Sequence, residues 1–343
     1  MIGNHIEKIQ KTLKPYLSDY NLYLGGSLAR KEPSIEKRSS NYITLKSDVD
    51  LVIVGTHPPT YDLKTLEQLL QHKYPNFRDT VIFLKKDALP FLNFSLAHDF
   101  FVEMEHPIHE SFAIQIPNYI NLTTQHMLAV VIHQIIGVLF PNAKTDCKKG
   151  VEIKDLTTWH RDPTYQKIKL FLEIMRMLSV HKKGTRGATY YEAYQLRHEP
   201  IITNVIEPEI FISFLKAREI WCNTYPNDNI NLPNILQKAL KEITGEDLLI
   251  NILENIQKKF YPTENLLDIF PLAILTAFLI QSVSNQEQQI IGDFYFNIIK
   301  NLPIFYSNQS HIEFTQSNIL ELLKNLRAKF ITAWWEKVSF INN

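Results

Sequence analysis

Residues 22–30 read Leu-Tyr-Leu-Gly-Gly-Ser-Leu-Ala-Arg, and residues 48–54 read Asp-Val-Asp-Leu-Val-Ile-Val. No other stretch limits the fold as tightly. A short apolar strand, Leu22–Leu24, runs into Gly25-Gly26-Ser27, where two glycines free the backbone for a tight turn. Backbone N–H groups at such a turn, followed by a helix start, form an anion cradle. Asp48 and Asp50 then flank Val49 at the head of a second strand, Leu51–Val54. Residues two apart in a strand share a face, so both carboxylates project to one side. Paired carboxylates beside a phosphate cradle are what a nucleoside triphosphate carrying Mg²⁺ requires.

At 343 residues the chain is long for one core, and two domains are expected. A hydrophobic share of 45% and a charged share of 21% describe an ordinary globular protein. The formal net charge of zero draws no long nucleic acid, although residues 28–47 concentrate Arg30, Lys31, Lys37, Arg38 and Lys46 against Glu32 and Glu36. Two cysteines, Cys147 and Cys222, make no disulfide framework and fit a reducing, cytoplasmic compartment. The apolar runs Met127–Phe140 and Ile269–Ile280 are interrupted by His133-Gln134 and Pro271. Both are shorter than the roughly 18–20 clean residues of a membrane span and read as buried helices.

Hydrophobic spacing predicts a helix over 4–18, the strand–turn–helix of 22–31, and a loop over 31–46 before the acidic strand. A helix over Tyr61–His72, a strand over Thr80–Leu84, a helix over Leu89–Met104 and an edge strand over Ser111–Ile116 follow. This order implies a small mixed sheet with helices on one side. Beyond Pro117-Asn118 the texture turns to helix-period segments at 123–140, 163–181, 188–196, 207–223, 234–241, 246–259, 267–284, 286–300 and 316–338. The expected fold is therefore α+β, with a sheet domain over 1–120 and an all-helical domain over 121–343.

Gly25-Gly26-Ser27-Leu28-Ala29-Arg30, with Ser47-Asp48-Val49-Asp50-Leu51-Val52, resembles the polymerase-β-like nucleotidyltransferase superfamily over roughly the first 120 residues. The nearest flavour is the bacterial group with a Gly-Ser-x-Ala-Arg start and a Ser-Asp-Ile/Val-Asp-Leu strand. The departures are Lys31, where such proteins often carry Gly, and a longer spacer. The resemblance implies transfer of a nucleoside monophosphate from a nucleoside triphosphate to an acceptor, with Mg²⁺ or Mn²⁺ as cofactor. It also implies a helical domain that closes over base and acceptor. The acceptor stays open among a small molecule, a protein side chain and an RNA end. A non-catalytic nucleotide- or partner-binding module is the alternative.

Such chemistry uses three carboxylates, two holding metal and a third beside the attacking hydroxyl. Asp48 and Asp50 are expected catalytic and metal-binding residues. Asp79 is the leading third, because similar proteins carry Asp before an apolar run there; its other reading is a turn residue after Pro75-Asn76. Glu103 and Glu105 are runners-up, and Asp99 ranks below them. Gly25 and Gly26 supply N–H groups, Ser27 a hydroxyl or a helix cap, and Arg30 a partner for the triphosphate or a solvated charge. Lys167 and Lys169 read as surface lysines, or as cations facing the triphosphate. The histidines 98, 106, 109, 126, 133 and 160 suggest no zinc site, since Pro107 breaks His106-x-x-His109 and no Cys-x-x-Cys accompanies it. Trp159, Tyr190-Tyr191 and Trp334-Trp335 read as packing residues.

Overall fold

The computed structural model describes residues 2–39, 42–45, 47, 49–75, 79–87, 107–113, 122–140, 143–146, 151–154, 163–184, 189–219, 230–263, 265–300, 323–324 and 326–333. It is a mixed α+β structure of two compact units. The first holds Met1–Leu122 and, among the described residues, the end of a later helix from Lys216; the second begins at Thr123.

In the first unit, α1 (Ile2–Leu13) places His5, Ile9 and Leu13 at intervals of one helical turn, and all three are buried. Pro15 then sits in a short 3₁₀ turn. Strand β1 (Asn21–Leu24) leads into the glycine turn and α2 (Gly26–Ala29). Residues 31–46, expected as a loop, instead form an antiparallel hairpin, β2 (Ile35–Ser39) with β3 (Tyr42–Leu45). Its base is pinned, since Ser34 N donates to Ser47 Oγ at 2.6 Å and Ser47 N donates to the Ser34 carbonyl at 3.2 Å. Strand β4 (Val49–Gly55) follows, then α3 (Leu63–Lys73), capped by the Asp62 carboxylate accepting from Lys64 N, then β5 (Asp79–Lys85).

The main sheet has the order β1-β4-β5, with β1 antiparallel and β5 parallel to β4. A parallel neighbour needs a crossover, which α3 supplies. One face carries Leu22, Val49, Leu51, Ile53, Val81 and Phe83, packed with Ile9 and Leu13 of α1 and Leu66 and Leu70 of α3. The alternation puts Tyr23, Asp50, Val52 and Thr80 on the other face. The outer edge of β1 meets residues 108–112: Leu22 N donates to the His109 carbonyl at 2.8 Å, and Asn21 Oδ1 accepts from Ser111 N at 2.8 Å. An isolated bridge joins Leu22 to His109; of the edge strand expected over Ser111–Ile116, residues 111–113 are not strand and 114–116 lie outside the described residues. The helix expected over Leu89–Met104 lies outside them.

The second unit is built on α4 (Thr124–Leu139) and α5 (Pro163–Lys183), which pack together along their lengths. Thr124 Oγ1 meets His181 Nδ1 at 3.0 Å near one end, and Gly137 lies against Gln166 near the other, so the two run antiparallel. Around them lie α6 (Tyr190–Gln195), α7 (Pro200–Thr203), α8 (Pro208–Glu219), α9 (Leu232–Thr244), α10 (Leu249–Phe260), α11 (Leu266–Leu279) and α12 (Asn285–Ile299). Residues 269–279 of α11 are all buried, which explains an apolar run with no polar face. An all-helical half was expected, but Ala143–Asp146 and Val151–Lys154 pair as an antiparallel hairpin. Among the described residues, no helix is long and apolar enough to cross a membrane.

Candidate functional site

The glycine turn folds directly onto the acidic strand. Gly25 N donates to the Asp50 carbonyl at 2.8 Å, so the turn continues the β1–β4 pairing by one bond. Gly25 is the N-cap of α2 in an extended conformation, and Gly26 opens the helix at φ +64°. A β-carbon at Gly26 would lie 2.1 Å from Asp50 Oδ2, and one at Gly25 would lie 3.4 Å from both Asp50 Cβ and Val52 Cγ2. Glycine is required twice over at 26, by its left-handed backbone and by the carboxylate against it. Ser27, half-buried, takes the second position of α2 and so is not the cap. By helix geometry, the first-turn amides of Gly26, Ser27 and Leu28 have no acceptor within the helix. Amide donors and the half-buried Asp50 carboxylate therefore share one corner of the sheet.

Arg30 closes α2 but is neither solvated nor turned to an open face. It is buried, and its Nε donates to Glu32 Oε2 at 3.1 Å. Asp48 lies outside the described residues, as do Asp99, Glu103 and Glu105.

The structure does not bring Asp79 onto the face of Asp50. In the parallel register Asp79 pairs with Val49, whereas Asp50 pairs with Thr80. Val49 belongs to the packed core face, so Asp79 starts on that side. Its side chain is fully buried, and His5 Nε2 of α1 meets Oδ1 at 3.1 Å. The His5 ring also stands edge-on to Tyr74, with centroids 5.2 Å apart. Asp79 Oδ2 has no hydrogen-bond partner among the described residues. On the site face, the β5 neighbour of Asp50 is a hydroxyl, Thr80.

Does this corner suit Mg²⁺? Among the described residues, no three histidine, cysteine or acidic side chains converge on one point. Mg²⁺ does not require them, because it keeps several waters and takes one or two carboxylates together with substrate phosphates. A hard oxygen donor at Asp50, beside the amides of the glycine turn, matches that pattern.

In the second unit, sequence reading missed a buried polar cluster. Glu173 and Arg176 form an ion pair at 2.6 Å, the Tyr190 hydroxyl donates to Glu173 Oε1 at 2.6 Å, and Arg176 lies over the Tyr190 ring at 5.1 Å. Tyr190 is core, as expected, but Tyr191 is 66% exposed. Lys167 is exposed, and Lys169 Nζ lies 5.6 Å from the centre of the Tyr165 ring. His109 bonds the Leu17 carbonyl and Ser111 Oγ, and His126 caps α4 through Thr123. Loss of hydration and the cations Lys169 and Arg327 push His133 down to about 4. Trp159, His160 and Trp334-Trp335 lie outside the described residues.

No protein-family model, no curated protein and no solved structure matches this chain.

Proposed function

We propose that the first unit is a nucleotidyltransferase domain, moving a nucleoside monophosphate from a nucleoside triphosphate to an acceptor with release of pyrophosphate. The observation that carries the reading is the contact of Gly26 with Asp50: a residue without a side chain, at φ +64°, is held against a carboxylate at a helix start. The Gly26, Ser27 and Leu28 amides would bind the triphosphate, and the Ser27 hydroxyl would add a contact to its terminal phosphates. Asp48 and Asp50 would hold Mg²⁺, or Mn²⁺ in its place. The metal would supply charge neutralisation on the triphosphate and polarise the phosphoryl oxygens. The protein's share of catalysis is then positioning and fixed dipoles. Arg30, paired with Glu32, would brace the end of α2.

A second reading, a nucleotide-binding module without chemistry, is favoured by one observation. The β5 carboxylate, Asp79, is bonded to His5 on the core face, while Thr80 stands beside Asp50. The two readings separate in one experiment. The full chain is incubated with Mg²⁺ or Mn²⁺ and a panel of nucleoside triphosphates labelled at the α-phosphate, with binding and label transfer followed in parallel. The transferase reading expects transfer that Asp48→Asn and Asp50→Asn each abolish while melting temperature holds. Near-wild-type turnover in either variant would overturn it. A cytoplasmic setting fits the two cysteines of the chain.

A further inference from the structure

We infer that Lys31 is a binding residue of the nucleotide site, holding the part of the triphosphate that leaves as pyrophosphate. The inference rests on the nucleotidyl-transfer reading and deepens it.

Lys31 has φ +60° and is the single non-glycine residue in the left-handed region among the described residues. It follows Arg30, the C-cap of α2. Glu32 N donates to the Ser27 carbonyl at 2.8 Å and Lys31 N to the Leu28 carbonyl at 3.0 Å, the paired bonds of a Schellman motif. The left-handed position of that motif is ordinarily glycine, because a β-carbon there crowds the backbone. Both bonds are made by main-chain N–H groups, so glycine would close the turn equally well and with less strain. What lysine adds is its side chain, which is exposed. Such strain persists where the side chain serves a function.

The place of the residue says which function. Helix α2 is a single turn, Gly26–Ala29. Its exit therefore stands about one helical pitch, ~5.4 Å, from the amides of Gly26 and Ser27. The bond from Glu32 N ties that exit to Ser27, whose hydroxyl is proposed to meet the terminal phosphates. The four-carbon stem of a lysine can span this distance, and it ends in a compact charge with three donors. Arg30 was expected to pair with the triphosphate, but it is buried and its Nε donates to Glu32. The Lys31 ammonium supplies the cation instead, at the β- and γ-phosphates, where negative charge grows as the bond to the α-phosphorus breaks.

The test separates backbone from charge on the full chain. Lys31→Gly and Lys31→Asn both suit a left-handed backbone and remove the cation, whereas Lys31→Arg keeps it. Melting temperature is measured beside the Kd of ATP, GTP, CTP and UTP, of their monophosphates and of inorganic pyrophosphate, all with Mg²⁺. In Lys31→Gly the melting temperature should hold or rise, by up to about 4 °C. The Kd of the bound triphosphate and of pyrophosphate should increase about ten-fold or more, as for loss of a charged hydrogen bond, and that of the monophosphate should not change. Lys31→Asn should weaken the same ligands, and Lys31→Arg should recover most of the loss. Triphosphate affinity unchanged in Lys31→Gly overturns the inference and leaves the transferase reading standing. So does a monophosphate Kd that rises as much as the triphosphate Kd, or an arginine variant as weak as the glycine one. A wild-type chain that binds no triphosphate overturns both.

Discussion

Nε2 of His5 meets Oδ1 of Asp79 at 3.1 Å with both side chains buried, joining α1 to the first residue of β5. The contact ties the start of β5 to α1, and in the observed register the next residue, Thr80, stands beside Asp50. Removing one partner of a buried hydrogen bond leaves the other group buried and unsatisfied, which typically costs about 1–3 kcal/mol. His5→Ala should therefore lower unfolding free energy by that order in urea titrations. The double variant with Asp79→Leu should recover part of the loss.

Asp79→Asn separates a structural carboxylate from a catalytic one. The amide oxygen can still accept from His5, so stability should fall less than in His5→Ala. Turnover and nucleotide affinity should stay near wild type, because the residue faces the core. Loss of turnover at unchanged melting temperature would return Asp79 to the reaction.

Gly26→Ala and Gly245→Ala form a matched pair. Both glycines have positive φ, +64° and +74°, but a β-carbon at 245 meets nothing within 4 Å while one at 26 lies 2.1 Å from Asp50 Oδ2. The left-handed backbone alone should cost about 1–2 kcal/mol in each. Any excess at Gly26 measures crowding of the carboxylate. Nucleotide affinity should fall only in Gly26→Ala; equal affinity in both variants would make the turn merely structural.

How much of this was legible in the sequence follows from the range of each interaction. The β1–turn–β4 corner was readable because two glycines and an acidic apolar strand are local signals. The helices of the second half were readable from their 3.6-residue spacing, as at α4 and α5. The hairpin at 35–45 was not, since β2 is mostly polar and charged and hides the partner of the apolar β3, and the Ser34–Ser47 bond at its base joins residues 13 apart. The hairpin at 143–154 hid in the same way, its alternation broken by Cys147-Lys148-Lys149-Gly150. The face that Asp79 takes was illegible for a deeper reason. A shift of one residue in a strand exchanges its two faces, and only the observed register with Val49 shows which face Asp79 takes. Its partner His5 lies 74 residues away, beyond any local pattern.

Stability of the second unit should fall with acid in a defined window. Loss of hydration lowers His126, His133 and His181 below the ordinary histidine value, and Lys169 and Arg327 also lower His133. His133 is exposed at the surface, so solvent screening leaves it a small share of this stability. The unfolded chain then binds more protons than the folded one. Their contribution is fully present above about pH 6.5. It is lost as pH falls through the lowered folded values, to about 4 for His133. His126 Nδ1 accepts from Thr123 N at 3.1 Å, which a protonated ring nitrogen cannot do. His126→Gln keeps an acceptor at that cap position while removing the charge. Its urea midpoint should change less than wild type between pH 7.5 and pH 5; an identical slope would assign the acid loss to other groups.

The Glu173–Arg176–Tyr190 cluster allows a test of whether a buried charge pair stabilises this core or only specifies it. Arg176 and Glu173 are one turn apart on α5, with side chains 1% and 3% exposed, and the Tyr190 hydroxyl completes the arrangement from α6. Taking both charges out of water is costly, and their attraction recovers that cost only with good geometry and further hydrogen bonds. Both conditions hold here. Glu173→Gln should therefore cost about 3–5 kcal/mol, because the Arg176 charge stays buried while its counter-charge is lost. Tyr190→Phe, which removes one hydrogen bond to a charged group, should cost about 1.5–3 kcal/mol. Replacing the ionic pair together, as Glu173→Leu with Arg176→Met, removes both charges and keeps the volume. If the pair serves mainly to fix the α5–α6 register, this double variant should be as stable as wild type or more so, with α6 amides exchanging faster. A double variant that loses as much as the sum of its single changes would show that the pair is itself a source of stability.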